Sequence, residues 1–424
     1  MSYILYDSMY ALVDCNNFFV SCERVINPQL EGKPVVILSN NDGCIVARSN
    51  EVKALSVPMG APYFKWKDYL QAHNVRVFSS NYLLYGDMSR RVMETLEVCM
   101  PDVSVYSIDE AFCDVSGIRD IDTLIANTKN RIQQWTGIPV SIGVGPTKTL
   151  AKAANELAKK QLQHNGLLVF DSANAALPYL RQLGVGYLWG VGRAFGEKLP
   201  RLGVHWASDL LEKDDTWLKT NLGSAGLSLV DELRGYPRTS LDKGPDTRKS
   251  IIRSRSFGER VYEKKEIIDA ITYFADRAGQ KLRKEGLRAS VIRPYFQTSR
   301  HATPRYYASK TIVLPEASND SRILIHACIN VVDQLFKQGF PYRKAGIACT
   351  GIVSANTYQK SLFSKETPAD ATIMKAYDAV REKFGSDLIS LGRTREIHPW
   401  HMKRELLSTS ERKNITSVPI VLCR

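Results

Sequence analysis

The chain has 424 residues, 44% of them hydrophobic, and no apolar run near the ~20 residues a membrane helix needs; a helical membrane protein is excluded and about three or four packed units are expected. Lys and Arg number 57 against 44 Asp and Glu, a formal +13, and the stretch from Arg238 to Lys310 holds 18 of the cations against 8 of the acids, so one segment carries the signal for a polyanionic partner. Eight cysteines without a CxxC pair and seven histidines without ligand spacing argue against structural zinc and a disulfide framework, and point to a reducing cytoplasm; His398 and His401 come nearest to a ligand pair.

In chain order, the opening MSYILYDSMY carries Asp7 and lacks a basic region ahead of an apolar one, so no export signal is expected. From there to about Phe170, short β-rich runs (YALVD, KPVVILS, VRVFSS, VSVYSI, AFCDVSG, PVSIGVG, GLLVF) alternate with helical stretches, the pattern of an α/β or α+β domain. Asn174 to about Arg238 reads as short helices punctuated by glycine, and the Gly-, Pro- and charge-rich YPRTSLDKGPDTRKS follows as a link. Then come strand candidates IIRSRSFGERV, ASVIRPYFQTS, RYYASKTIVL and RKAGIACTGIVS with two helical stretches among them, a compact α+β domain. After about Ala355 the polar tail has weaker periodicity.

Three places carry chemistry. ALVDCNNFFVSCE ends a β-like run at Asp14, which suits a metal ligand and a helix cap equally. YSIDEAFCDV sets Asp109 beside Glu110, and neighbouring side chains on a strand point to opposite faces, so both acids serve one site only where the chain turns. The apolar residues on either side predict a hairpin with its tip at or beside the pair. If that hairpin pairs with the Asp14 strand, three carboxylates converge as a site for one or two Mg²⁺ ions; otherwise the pair is an exposed turn. In GPTKTLAKAANELAKKQ, Pro146 suits the first turn of a helix and Lys148, Lys152 and Lys159 fall on one side, opposite Leu150, Ala154 and Leu157. Such a stripe is ordinarily a solvated face.

Together ALVDCNNFFVSCE, KPVVILSNNDGCIVARS, YSIDEAFCDVSG, IGVGPTKTLAKAANELAKK, LWGVGRAFGEKL and SRSFGER resemble the Y-family of translesion DNA polymerases, and within it the UmuC branch, from about Tyr10 to the C-terminus. The resemblance implies an α+β multidomain right-hand polymerase. Its palm would be 1–24 and 86–170, its fingers 25–85, a helical thumb with a helix-hairpin-helix around Gly190 and Gly192 171–240, an α+β little finger 248–356, and a partner-binding tail 357–424. It implies error-prone, template-directed addition of deoxynucleotides to a primer end past damaged bases, within the SOS response.

By the same resemblance Asp14, Asp109 and Glu110 match the catalytic, metal-binding acids, and the carbonyl of Cys15 a further ligand to two Mg²⁺ ions. Phe18 and Phe19 lie where the incoming deoxynucleoside triphosphate binds, Phe19 matching the steric gate that leaves no room for a 2′-hydroxyl. Lys159 matches a lysine that neutralises the triphosphate. Here the chain departs from many relatives, with Lys53 where they carry arginine and Asn50 where they carry tyrosine; these two and Arg48 receive no firm assignment. Implied partners are primer-template DNA, a processed UmuD-like dimer, RecA and the sliding clamp, the last through Gln359, Leu362 and Phe363 of QKSLF. Relatives usually begin a few residues before the first acid, so residues 1–8 are expected to be disordered or untranslated. Two other classes stand against this reading. A palm-type nucleotide cyclase has no need of the basic domain, thumb hairpin or sugar gate, and a silent DNA-binding scaffold would have lost one of the acids.

Overall fold

The computed structural model describes residues 8–239, 248–358, 368–385, 389–392, 400 and 402–408. Residues 1–7, the Gln359, Leu362 and Phe363 motif and the His398 and His401 pair lie outside the described residues. The chain divides into two compact units, one built mainly from residues up to Gly244 and one from Pro245 to Glu405.

The first unit runs β1 (Tyr10–Cys15), α1 (Phe18–Ile26), β2 (Val35–Leu38), β3 (Ile45–Arg48), α2 (Asn50–Ala54), α3 (Tyr63–Ala72), β4 (Arg76–Ser79), α4 (Tyr82–Cys99), β5 (Val103–Val105), β6 (Glu110–Asp114), α5 (Ile121–Thr136), β7 (Val140–Gly145), α6 (Lys148–Lys160), β8 (Leu167–Val169), α7 (Ala173–Leu180), α8 (Arg193–Arg201) and α9 (Asp215–Leu233). Its main sheet has the order β5-β6-β1-β7-β8, with β1 antiparallel to both neighbours, so the first strand lies in the middle. Every residue of β1 is buried, which fits its near-continuous apolar sequence. Ala11, Val13 and Cys15 pack with Val92 and Leu96 of α4 and Ile125 and Ile132 of α5. Tyr10 and Leu12 point the other way and pack with Phe112 and Ala151 of α6.

A separate three-stranded sheet, β3-β2-β4, buries Val36, Leu38, Ile45, Val52 and Leu70 in a small core of its own, within the stretch expected as fingers. Helices α7 to α9 share a core with Leu150, Ala154 and Leu157 of α6, the face expected to lie opposite the lysines. Buried Glu232 of α9 ties the two together: its carboxylate accepts from the Thr149 backbone N–H (3.0 Å) and hydroxyl (2.6 Å) and from the N–H groups of Arg238 and Thr239. Gly190, with φ +89°, and Gly192, the N-cap of α8, form the glycine turn of the expected hairpin; its leading limb is the single 3-10 turn Val185–Tyr187 rather than an α-helix. Pro146 precedes the cap of α6 instead of opening its first turn, and Thr147 is the residue that caps, its side chain accepting from the Leu150 N–H.

The second unit runs β9 (Ile251–Val261), α10 (Lys264–Lys284), β10 (Leu287–Thr298), β11 (Tyr307–Ser309), β12 (Ile312–Ser318), α11 (Ser321–Leu335), β13 (Tyr342–Ser354) and α12 (Pro368–Phe384). The sheet order is β11-β10-β13-β9, β12 also pairs with β10, and α10 and α11 cover one face over a core that includes Phe257, Ile271, Phe296 and Ile347. The tail does not stay apart. Arg283 of α10 forms a bidentate pair with Asp378 of α12 (2.6 and 2.8 Å), buried Arg381 pairs with buried Asp276, and Trp400 is fully buried against Tyr273 and Phe274.

Candidate active site

Strand alternation decides which way the first acid points. Asp14 follows Tyr10 and Leu12 on the α6 side of β1, and is buried. The register sets Asp14 directly opposite Glu110, the first residue of β6, on the face that Phe112 shares. Asp109 falls in the turn before it, where the adjacent acids part company. The Cys15 N–H donates to the Asp109 carbonyl at 2.9 Å, and the Ser107 hydroxyl donates to its carboxylate at 2.5 Å while accepting from the N–H groups of Asp109 and Glu110. The expected hairpin is therefore present as β5 and β6, with the acid pair at the end of its loop. Asp14 and Glu110 are brought into contact and Asp109 lies beside them. Among the described residues no three acidic, histidine or cysteine side chains close on one point as a metal cage.

The negative charge meets two ammonium groups. Lys159 Nζ lies 2.6 Å from Asp14 and Lys152 Nζ 2.9 Å from Glu110, both from α6. That helix reaches the acids because β7 is bare beneath it: a Cβ on Gly143 would fall inside contact distance of the Asn155 N–H and the Ala151 carbonyl. The lysine stripe is thus a lining of the acids, not the solvated face that its spacing suggested. Lys148 departs further, buried with its ammonium 5.2 Å above the Phe112 ring. Burial pushes the Asp14 carboxyl up to about 7, with the Lys159 charge opposing and Glu110 adding to the rise. Burial raises Glu110 as well, but a hydrogen bond from Asp14 and the Lys152 ammonium outweigh it and hold Glu110 below the ordinary carboxylate range. The site thus pushes its two carboxyls apart, Asp14 up and Glu110 down.

A cavity of about 880 Å³ opens beside them, lined by Asp14, Cys15, Asp109, Phe18, Phe19 and Lys159. Phe18 is buried in the palm core, whereas Phe19 packs on that core half-buried, its ring stacked on Tyr85 at 4.4 Å. The Tyr85 hydroxyl donates to buried Glu23 at 2.8 Å, so the ring behind Phe19 is anchored at its far end. Neither Tyr85 nor Glu23 stands out in the sequence, since the chain offers no spacing that links α1 to α4. Arg48, Asn50 and Lys53 line the same cavity, and Lys53 donates to Asn50 at 3.2 Å. Burial, then the charges of Arg48 and Lys159, lower the Lys53 ammonium below its ordinary range. Their signal was the basic, polar run VARSNEVK, which begins in β3 and continues into α2.

Three family descriptions match the chain: the impB/mucB/samB family over residues 13–156, the C-terminal domain of that family over 248–362, and a domain of unknown function (DUF4113) over 371–421. Protein UmuC of Salmonella typhimurium is 39% identical over 94% of this chain and 97% of its own length, and protein ImpB of the same organism 35% identical over 97% and 99%. DNA polymerase IV of Caulobacter vibrioides is 27% identical over 90% of the chain and 93% of its own. Among solved structures, a Y-family DNA polymerase chimera of Dbh and Dpo4 superposes with a TM-score of 0.65 at 23% identity, over 82% of this chain and 99% of that one.

Proposed function

The chain belongs to the impB/mucB/samB family and is an error-prone translesion DNA polymerase with the right-hand α+β fold of the Y-family, and we propose that Asp14, Asp109 and Glu110 carry its chemistry. The observation that supports this most is the register of β1 on β6, which sets Asp14 against Glu110 while the Cys15 N–H holds the turn that bears Asp109. The donor set fits a hard divalent cation. It consists of carboxylate oxygens, and burial leaves Asp14 short of compensating charge even with Lys159 beside it. Asp14, Asp109, Glu110 and the Cys15 carbonyl would hold two Mg²⁺ ions, which when bound favour ionisation of the primer hydroxyl and offset charge on the phosphates.

The remaining work falls to the side chains. Phe19, held by Tyr85, lines the cavity where the sugar of a deoxynucleoside triphosphate would lie, and a 2′-hydroxyl would meet that ring. Lys159 exchanges Asp14 for the triphosphate, and Lys53 and Arg48 supply further positive charge in the same cavity. Lys152 keeps Glu110 ionised and aimed along the strand end. The basic second unit neutralises the DNA backbone, which makes binding independent of sequence and steeply dependent on salt. The kinship with protein UmuC supports the finer partners, a processed UmuD-like dimer, RecA and, through Gln359, Leu362 and Phe363, the sliding clamp, and action in the cytoplasm.

Primer extension on damaged and undamaged template, supplied with the processed dimer and a RecA filament, tests the assignment. The Asp109→Ala, Glu110→Ala variant is expected to retain DNA binding and to lose extension. Equal extension by the variant would refute it.

A further inference from the structure

The second unit holds a groove of about 480 Å³ between its outer strand and its first helix. Arg253 and Arg255 of β9 face Arg277, Lys281 and Lys284 of α10 across it, with Ser254 and Gln280 as further polar lining and no carboxylate among the lining residues. Arg253 and Arg255 stand opposite Ile347 and Ala345 of β13, both core residues, so they project from the helix-bearing face of the sheet. Arg277, Lys281 and Lys284 follow at helical spacing on the side of α10 turned to them. Lys281 lies 2.7 Å from Glu285, an acid that is outside the lining.

Two observations say what such a groove takes. β9 is the last strand in its sheet, and among the described residues no backbone group other than those of β13 pairs with Ile251 to Arg255, so a row of main-chain donors and acceptors borders the cations. Further along, the Ser256 and Phe257 carbonyls accept from Asn41, which marks where the open edge ends. The aromatic lining is not offered for base stacking: Trp400 lies against Tyr273 at 5.3 Å and Phe274 at 5.9 Å, and Arg277 lies over the Tyr273 ring. A single nucleic-acid strand gains much of its affinity from stacking on open rings, whereas an extended peptide gains it from a free strand edge.

We propose that the groove docks an acidic, extended peptide segment of a protein partner, which adds to the outer edge of β9 and sets alternate carboxylates among Arg253, Arg255, Arg277, Lys281 and Lys284. Strand addition supplies direction and register, and residues of one parity reach the cations, where arginine can grip a carboxylate with two parallel bonds.

The probe is a fluorescein-labelled ten-residue peptide of alternating Glu and Val, titrated with the full chain and read by anisotropy, beside a labelled ten-residue oligothymidylate. The Glu–Val peptide is expected to bind. The Arg255→Glu, Lys281→Glu variant should weaken it by about tenfold or more, the loss of one or more charge-assisted contacts, and should gain affinity for a Lys–Val peptide, which also shows that the variant is folded. Methylating alternate backbone nitrogens of the Glu–Val peptide should weaken it by a comparable factor, since the edge of β9 then finds no donors. The milder Arg253→Gln, Lys284→Gln variant should lose a fewfold. Binding that survives both N-methylation and charge reversal, or no binding of the Glu–Val peptide to the wild-type chain, overturns the proposal. So does competition in which oligothymidylate displaces the peptide and itself loses affinity on reversal, the result of a nucleic-acid groove. None of these results bears on primer extension, so the polymerase assignment stands or falls separately.

Discussion

The palm site and the second unit's groove both gather cations, and they differ in what those cations face. On α6 the ammonium groups of Lys152 and Lys159 lie within 3 Å of Glu110 and Asp14, in a site whose acids are largely buried. In the groove five cations line about 480 Å³ with no acid in the lining. Charges paired in a desolvated site tune one another's protonation and wait for a reacting group, while a concentration of one sign on an open edge attracts a partner of the other sign. The +13 of the whole chain does not distinguish the two.

The sharpest way to break the comparison is at Lys159. Lys159→Ala should lower the single-turnover extension rate by about 10² to 10³, the usual effect of removing one charge aimed at a transition state, and leave DNA affinity close to wild type. Quench-flow extension at saturating nucleotide reads it, and a change confined to DNA affinity would contradict the role given to Lys159. Gly143→Ala comes next. It forces a methyl group into the backbone of α6 and should cost about 1–3 kcal/mol or more by thermal unfolding, with the acids and lysines drawn apart and extension lost in proportion.

Asp14→Asn sharpens the contrast through pH. Because the folded chain raises the Asp14 carboxyl to about 7, ionising it burdens the native state, and the stability present while it is protonated is lost as pH rises. The variant should match wild type near pH 4, pull ahead between about pH 4 and pH 7, and hold a lead of about 1–3 kcal/mol above that, after allowance for the partner that Lys159 loses. Denaturant midpoints at a series of pH values check this; a variant less stable at pH 8 would mean that the ion pair outweighs burial. The smallest effect is expected at Tyr85→Phe, which removes one hydroxyl from Glu23 and loosens the ring behind Phe19. Stability should fall by about 1 kcal/mol and the preference for deoxynucleotides over ribonucleotides by a few-fold, read from paired incorporation assays.

Much of this was legible in the chain. Strand alternation in YALVD and AFCDV located both acid-bearing strands, and the apolar flanks of the acid pair located its hairpin. The candidates after the link fall on the elements of the second unit, except that RYYASKTIVL, read as one strand, is the two strands β11 and β12. Spacing put Lys148, Lys152 and Lys159 on one side of α6 but could not say whether that side met water or acids. Gly143, which decides how closely the helix descends, looks in sequence like any strand glycine. The tail helix α12 escaped for a different reason. Its Arg381 is buried and its Asp378 is clasped, each by an opposite charge on α10, and a pattern that equates charge with exposure passes over a helix held in that way. Tyr85 and Glu23 needed the fold, since α1 and α4 meet only in three dimensions.

Counting bound Mn²⁺ by electron paramagnetic resonance, with primer-template and a non-hydrolysable deoxynucleotide present, tests the assignment of the acids most directly. Wild type should take up two ions, and Asp109→Ala, Glu110→Ala should fall below one while still binding the DNA. Equal uptake by the two proteins would contradict the account at its centre, because the strand register that sets Asp14 against Glu110 would then serve the fold alone.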